Sequence, residues 1–204
     1  MMLYSWISFW LTYFIFGCYF YDDTNIKILP NHIVTTKNLL NTIANNAILT
    51  FLFIPIANKI PTIFYYEHNL YGYIFRVLTA LIIGDLCFYW SHRLFHWSYF
   101  YFLHKKHHLY IVPTTLAGVF CSPIEMFISN HLSMVLALKL VDIYSVEMLM
   151  LESAIVAGNI LLSHSSKTKY ANGSPHHDLH HLKLNCNYGF SYITDIVFGT
   201  YLHV

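Results

Sequence analysis

Two stretches of the chain, Leu3–Tyr21 and Leu39–Ala57, run for 19 residues each without an acidic or basic side chain. About 20 apolar residues in a helix cross the hydrocarbon core of a bilayer. Lipid offers no water to an unpaired backbone, so such a stretch must close its hydrogen bonds internally. That constraint selects helices over open sheet. A third stretch, Tyr71–Trp90, is interrupted only by Arg76 and Asp85. Pro113–Leu140 and Ile143–Ser163 are hydrophobic but broken by residues such as Pro123, Glu125, Asp142 and Glu152, and they read as a helical hairpin at or in the membrane. The first stretch has no basic leader and no small-residue cleavage site, so it reads as a retained anchor. The connector 22–38, with Pro30, and the connector Asn58–Leu70, with Pro61, carry turn signals.

The fold class expected is all-α: an integral membrane helical bundle forming one structural unit. Residues 1–70 are its N-terminal transmembrane hairpin and connectors, and residues 71–204 carry the chemistry. Composition agrees. Only 10% of the chain is charged, against about 25% in soluble domains. A net charge of +1 lacks the basic excess of a nucleic-acid binder. Four cysteines without a CxxC are too few for a disulfide scaffold.

The anomaly is histidine, with 14 residues in 204. His92 and His96 are spaced HxxxH; His104, His107 and His108 are spaced HxxHH; His177, His180 and His181 repeat HxxHH, with His176 just before them. On a helix, residues three or four apart share a face, so each cluster is expected to aim its imidazoles in one direction. Neutral imidazole suits Zn, Cu, Fe and Ni. Eight clustered histidines, or nine with His164, are too many for one ion and about right for two. His32, His68, His131 and His203 have no cluster around them and read as ordinary core or surface residues. Arg93, Lys105, Lys106, Lys167, Lys169 and Lys183 flank the clusters, which places them on the cytoplasmic face by the positive-inside rule.

These motifs resemble the fatty acid hydroxylase/sterol desaturase superfamily of integral-membrane di-iron enzymes. The resemblance runs from about Gly84 to Tyr201. It rests on Asp85-Leu-Cys-Phe-Tyr-Trp-Ser-His-Arg93, on Leu103-His-Lys-Lys-His-His108 and on Ser163-His164. It continues through His176-His-Asp-Leu-His-His181, Asn185-Cys-Asn-Tyr-Gly189 and the pair Asp195 and Gly199-Thr200. The third cluster is similar to 4-methylsterol oxidases and cholesterol 25-hydroxylases, whereas Asn-Tyr-Gly is similar to C-5 sterol desaturases. The chain departs from the pattern at Ser122-Pro-Ile-Glu125, where relatives often begin with His, and at His164-Ser-Ser166, where they often have His-Ser-Gly.

The resemblance implies two non-haem Fe ions held by His92, His96, His104, His107, His108, His164, His177, His180 and His181. His176 is a candidate extra ligand or outer partner. Asp85 is a candidate acceptor for a ligand N–H. The implied activity is hydroxylation or desaturation of a sterol or other lipid with O₂. No Rossmann glycine pattern or haem motif is visible in the chain, so electrons are expected from outside it; the resemblance implies cytochrome b5 and an NAD(P)H-dependent reductase as donors, at the endoplasmic reticulum. The competing readings are a membrane metal transporter and a metal-binding scaffold without oxygenase activity.

Overall fold

The computed structural model describes residues 2–21, 26–61, 69–141, 146–164 and 175–203. Lys167 and Lys169, used above for orientation, lie outside them, as does His68.

Helix α1 spans Met2–Tyr19 and is followed by strand β1, Lys27–Ile28. Helix α2, Thr36–Leu52, is started by Thr35, whose hydroxyl accepts the Asn38 N–H. It runs into the single turn α3, Ile54–Ala57, which carries a proline in its first turn, where a missing N–H costs nothing. Helix α4, Leu70–Phe95, is capped by Asn69, whose side chain accepts the Gly72 N–H at 2.8 Å. Helix α5 is the turn Tyr101–His104; a 3₁₀ turn at His107–Leu109 and strand β2, Tyr110–Val112, follow. After a second 3₁₀ turn at Thr115–Val119 come α6, Pro123–Glu125, a π-helical segment Met126–Leu132, and α7, Ser133–Leu140. Helices α8 (Val146–Ser163), α9 (Pro175–Lys183) and α10 (Tyr192–Val197) complete the chain.

The protein is a helical bundle, and its sheet among the described residues is the short antiparallel β1–β2 ladder. Two described helical stretches are long and apolar enough to cross a membrane, Thr36–Ala57 and Leu70–Phe95. Helix α4 is inside-out relative to a soluble helix. Its buried stripe is Arg76, Ala80, Asp85, Tyr89, His92 and Phe95, while Ile74, Phe75, Leu78 and Ile82 face outward. A continuous apolar outer face of this kind is what lipid solvates.

The hairpin expected from Pro113–Leu140 and Ile143–Ser163 forms differently. Helix α8 packs chiefly on α1, and α7 packs chiefly on α4, so the two arms touch each other only lightly. The reason is polar matching inside an apolar bundle. Ser5 and Ser153 share a hydrogen bond between α1 and α8, and the Ser8 hydroxyl donates to the Met150 carbonyl at 2.7 Å. Tyr13 donates to the Thr115 carbonyl and accepts from the Val119 N–H, tying α1 to the 3₁₀ turn. Such groups cannot be left unpaired in a low-dielectric interior.

Candidate metal centre

The three histidine clusters sit where helices end. His92 lies in the last turn of α4 and His96 is its C-cap. His104 ends α5, but a turn at Lys105–Lys106 separates it from His107 and His108 on the 3₁₀ turn. The second cluster is therefore not one helical face, as its spacing implied. The tighter turn swings His107 away from His104 and His108. His177, His180 and His181 do lie on one helix, α9, yet they also diverge.

The result is two interleaved groups. One comprises His92, His96, His104, His108 and His180; the other comprises His107, His164, His177 and His181. Within each group the candidate ligand atoms all lie within 4.8 Å of one another. All nine side chains are buried except His96, which is half-buried.

The Nε2 atoms converge. In the first group, His92 to His104 is 3.1 Å, His104 to His108 is 2.8 Å, His108 to His96 is 3.2 Å and His96 to His180 is 3.1 Å. In the second, His107 to His164 is 3.3 Å, His164 to His177 is 3.0 Å and His177 to His181 is 3.2 Å. Ligand nitrogens about 2.1 Å from one ion and at right angles to each other stand about 3.0 Å apart, so these spacings suit a shared metal.

The backbone decides which nitrogen faces inward. Nδ1 of His92 donates to the Tyr188 carbonyl at 2.7 Å, that of His180 to Cys186 at 2.7 Å, that of His181 to Tyr110 at 2.7 Å and that of His164 to Ile160 at 2.8 Å. A carbonyl can only accept, so these imidazoles carry their proton on Nδ1 and aim a bare Nε2 lone pair inward. Lone pairs packed about 3 Å apart repel unless a cation lies between them. The donor set thus fits metal ions, and nitrogen-only ligation selects a transition metal over Mg or Ca.

Electrostatics point the same way. Burial, reinforced by neighbouring imidazoles, pushes His96, His104, His107, His108, His177, His180 and His181 below the ordinary histidine range. These side chains are neutral at pH 7, which is the form a metal takes.

The outer supports differ from the sequence expectation. Asp85 accepts no ligand N–H in the described hydrogen bonds. Its carboxylate is taken up by the Phe190 N–H at 2.7 Å, the Ser191 N–H and hydroxyl, and the Thr194 hydroxyl at 3.0 Å. It acts one step further out, fixing the loop whose Tyr188 carbonyl orients His92. His176 belongs to neither group. Its Nε2 lies 3.3 Å from Asp195, and its ring packs against Tyr192 and Tyr201, which also contact each other. His131 is buried in the π-helical segment, outside both groups.

Two acids carry roles that spacing did not announce. Asp195 is fully buried and accepts from the N–H groups of Tyr188 and Gly189 at 2.8 and 2.9 Å and from the Thr200 hydroxyl at 2.7 Å. A side chain at position 189 would run into the Thr194 hydroxyl and the Ser191 carbonyl and crowd this carboxylate, so the tight loop needs glycine there. Glu125 places Oε1 2.8 Å from Nδ1 of His104. The signals were present as the Ser-Pro-x-Glu and Asp195 motif positions, but nothing in them named the histidine or loop they serve.

Both groups border a chamber of about 20 Å³, room for one water-sized molecule, lined by His92, His104, His107, His164 and His177. Phe190 and Asn130 also line it and equally line a cavity of about 560 Å³ between α4, α7, α8 and α10. The Phe190 ring stacks on Phe88 at 3.8 Å, and Phe88 in turn lies 5.1 Å from His92.

The chain is 32% identical over 143 residues to the Delta(7)-sterol 5(6)-desaturase of Eremothecium gossypii, covering 66% of this chain and 40% of that protein. It is 26% identical over 147 residues to human fatty acid hydroxylase domain-containing protein 2, covering 72% and 42% respectively. It is 29% identical over 132 residues to the C-4 methylsterol oxidase of Schizosaccharomyces pombe, covering 58% and 44%. The chain thus spans about two fifths of the length of these relatives. No solved structure matches it significantly. The fatty acid hydroxylase family profile matches residues 77–200, which include every histidine of both groups, and the chain belongs to that family.

Proposed function

We propose that this protein is a membrane-bound lipid oxidoreductase that oxidises a sterol or related lipid at a di-iron centre held by the nine histidines. The observation that carries the reading is the pair of buried, inward-aimed imidazole groups, five and four strong, bordering one chamber. The names of the relatives, sterol desaturases and a sterol oxidase, support a sterol or similar lipid as substrate.

Two iron ions bound there would supply the activation of O₂ and the removal of hydrogen from an unactivated C–H bond, leading to hydroxylation or desaturation. The chain supplies the rest. The carbonyls of Tyr188, Cys186, Tyr110 and Ile160 lock ring orientation and tautomer. Asp195 and Asp85 hold the loop carrying the first two of those carbonyls. Burial keeps water from the centre, and the stacked Phe88–Phe190 pair stands between it and the larger cavity. Imidazole ligation leaves such a centre more positive than a carboxylate-rich one. Electrons come from outside the chain, with cytochrome b5 and an NAD(P)H-dependent reductase as the proposed donors. The basic residues around the clusters support a multi-pass protein with the centre on the cytoplasmic side. Ligands at helix ends, rather than at the midplane of broken helices, argue against a transporter.

The test is expression in a sterol-producing cell with mass spectrometry of sterols and fatty acids, alongside iron analysis of the purified protein. Two irons per chain are expected, together with a lipid product missing from a His180→Ala, His181→Ala variant. Identical lipid profiles in wild type and variant would sink the reading.

A further inference from the structure

The cavity beside the centre has a polarity that the reaction class alone does not require. Its mouth is apolar and open: Leu78 and Ile82 on α4 and Ile193 and Val197 on α10 are all more than half exposed. Its walls are Leu81, Met134, Ala137 and Ile155. At about 560 Å³ it falls within the range of about 300–1,000 Å³ that pockets for drug-sized ligands occupy. Two asparagines, Asn130 and Asn159, line this apolar space, and among the described residues neither side chain has a hydrogen-bond partner. The other polar groups at the wall, Asp85, Ser191 and Thr194, satisfy one another.

Both asparagines belong to the inner end. Asn130 lines the histidine chamber as well as the cavity. Asn159 lies four residues before Ser163, which lines the chamber, and so about 6 Å from it along the α8 axis. Asn130 is presented by the π-helical segment Met126–Leu132. Such insertions rotate side chains out of α-helical register and recur at functional sites. The neighbouring Ser129 hydroxyl, 2% exposed and lining the chamber, also has no partner among the described residues. Both asparagines are half-buried, so a ligand that fills the cavity and displaces its water would leave their amides unpaired, at a cost, unless it brought a polar group of its own.

We propose that Asn130 and Asn159 are specificity-determining residues that bind the hydroxyl of a lipid alcohol. The lipid enters head-first from the bilayer, its apolar body lies along α4, α7 and α8, and the carbons nearest its hydroxyl rest against the histidine chamber. The inference rests on the lipid-oxidation reading and adds the end of the substrate that is read.

The test is equilibrium binding to the purified full chain in detergent, with four probes: cholesterol, the same sterol lacking its hydroxyl, hexadecanol and hexadecane. One hydrogen-bonded hydroxyl should tighten binding roughly three- to tenfold over the matched hydrocarbon. Preference confined to the cholesterol pair identifies a sterol, and preference confined to the hexadecanol pair identifies a long-chain alcohol. An Asn130→Leu, Asn159→Leu variant should lose the preference while keeping its metal content and melting temperature. Where that variant does not fold, the Asn130→Ser and Asn159→Ser single variants are read the same way, each weakening the preference. Equal binding of alcohol and hydrocarbon by wild type, no binding of any probe, or an undiminished preference in the variants overturns the proposal. Iron content and product formation are measured separately. Wild type that holds iron and makes product without alcohol preference defeats only this inference. Alcohol preference without iron or product defeats the oxidation reading instead.

Discussion

The two histidine groups differ in redundancy and in access. The first has five members, one of them the half-buried His96 at the end of α4; the second has four, all buried, and draws His164 from the end of α8. They are not built from separate pieces of sequence. The second cluster gives His104 and His108 to one group and His107 to the other, and the third gives His180 to one and His177 and His181 to the other. Two sites laced through the same turns are positioned together. A displaced α9 would disturb both at once, whereas a single ligand change should weaken the smaller group more.

The largest expected effect follows from that asymmetry. His107→Ala leaves three imidazoles in the smaller group, and should remove about one of two metals and lower product formation by more than about 100-fold. His96→Ala leaves four in the larger group and should retain more metal than His107→Ala. Metal analysis of the two purified variants makes the comparison, and equal losses would break it.

Next is the shared scaffold. Asp195→Ala strips four donors of their acceptor in a fully buried position and should cost about 3 kcal/mol of stability. Because the Asp195 loop carries the Tyr188 and Cys186 carbonyls behind His92 and His180, its loss should release metal from the larger group first. Melting temperature and metal content measured together check this, and intact metal binding at a lowered melting temperature would show the two to be uncoupled.

Acid should act on both groups. The folded imidazoles outside the membrane-crossing stretches have lowered pKa values, whereas the unfolded chain titrates near 6.5. Below that pH the unfolded state binds more protons than the folded state, so stability of the metal-free protein falls as pH drops from about 7 toward 5. Above about 7 both states are neutral and the dependence disappears. Denaturant midpoints across that range test the sign, and a flat profile would mean that the folded histidines already titrate normally.

The eight clustered histidines were visible in the sequence because metal ligation needs particular residue types at short spacings, and both survive in one dimension; His164, alone at the end of a hydrophobic stretch, was singled out only by the family resemblance. Their partition was not, because it turns on the break at Lys105–Lys106 that ends α5 before His107. The acceptors behind the rings were also hidden: a backbone carbonyl such as that of Cys186 or Ile160 leaves no signature in residue identity. Asp85 stood out as a lone acid in an apolar helix, but its partners, 105 to 109 residues away, are known only once α10 packs on α4. The helices were legible from charge-free length. The pairing of α8 with α1 was not, since it depends on serines that look unexceptional within apolar runs.

The smallest expected effect tests where the smaller group ends. His176 precedes His177 and sits in the same motif, yet its ring is 4.5 Å from Tyr192 and nearly parallel to Tyr201 at 5.5 Å, and its Nε2 faces Asp195. A His176→Phe variant keeps the aromatic packing and gives up one polar contact, so it should cost about 1 kcal/mol and leave metal stoichiometry unchanged. Loss of metal on the scale of His107→Ala would instead make His176 a fifth member of the smaller group. The two groups would then be equal in number, and the difference in redundancy between them would disappear.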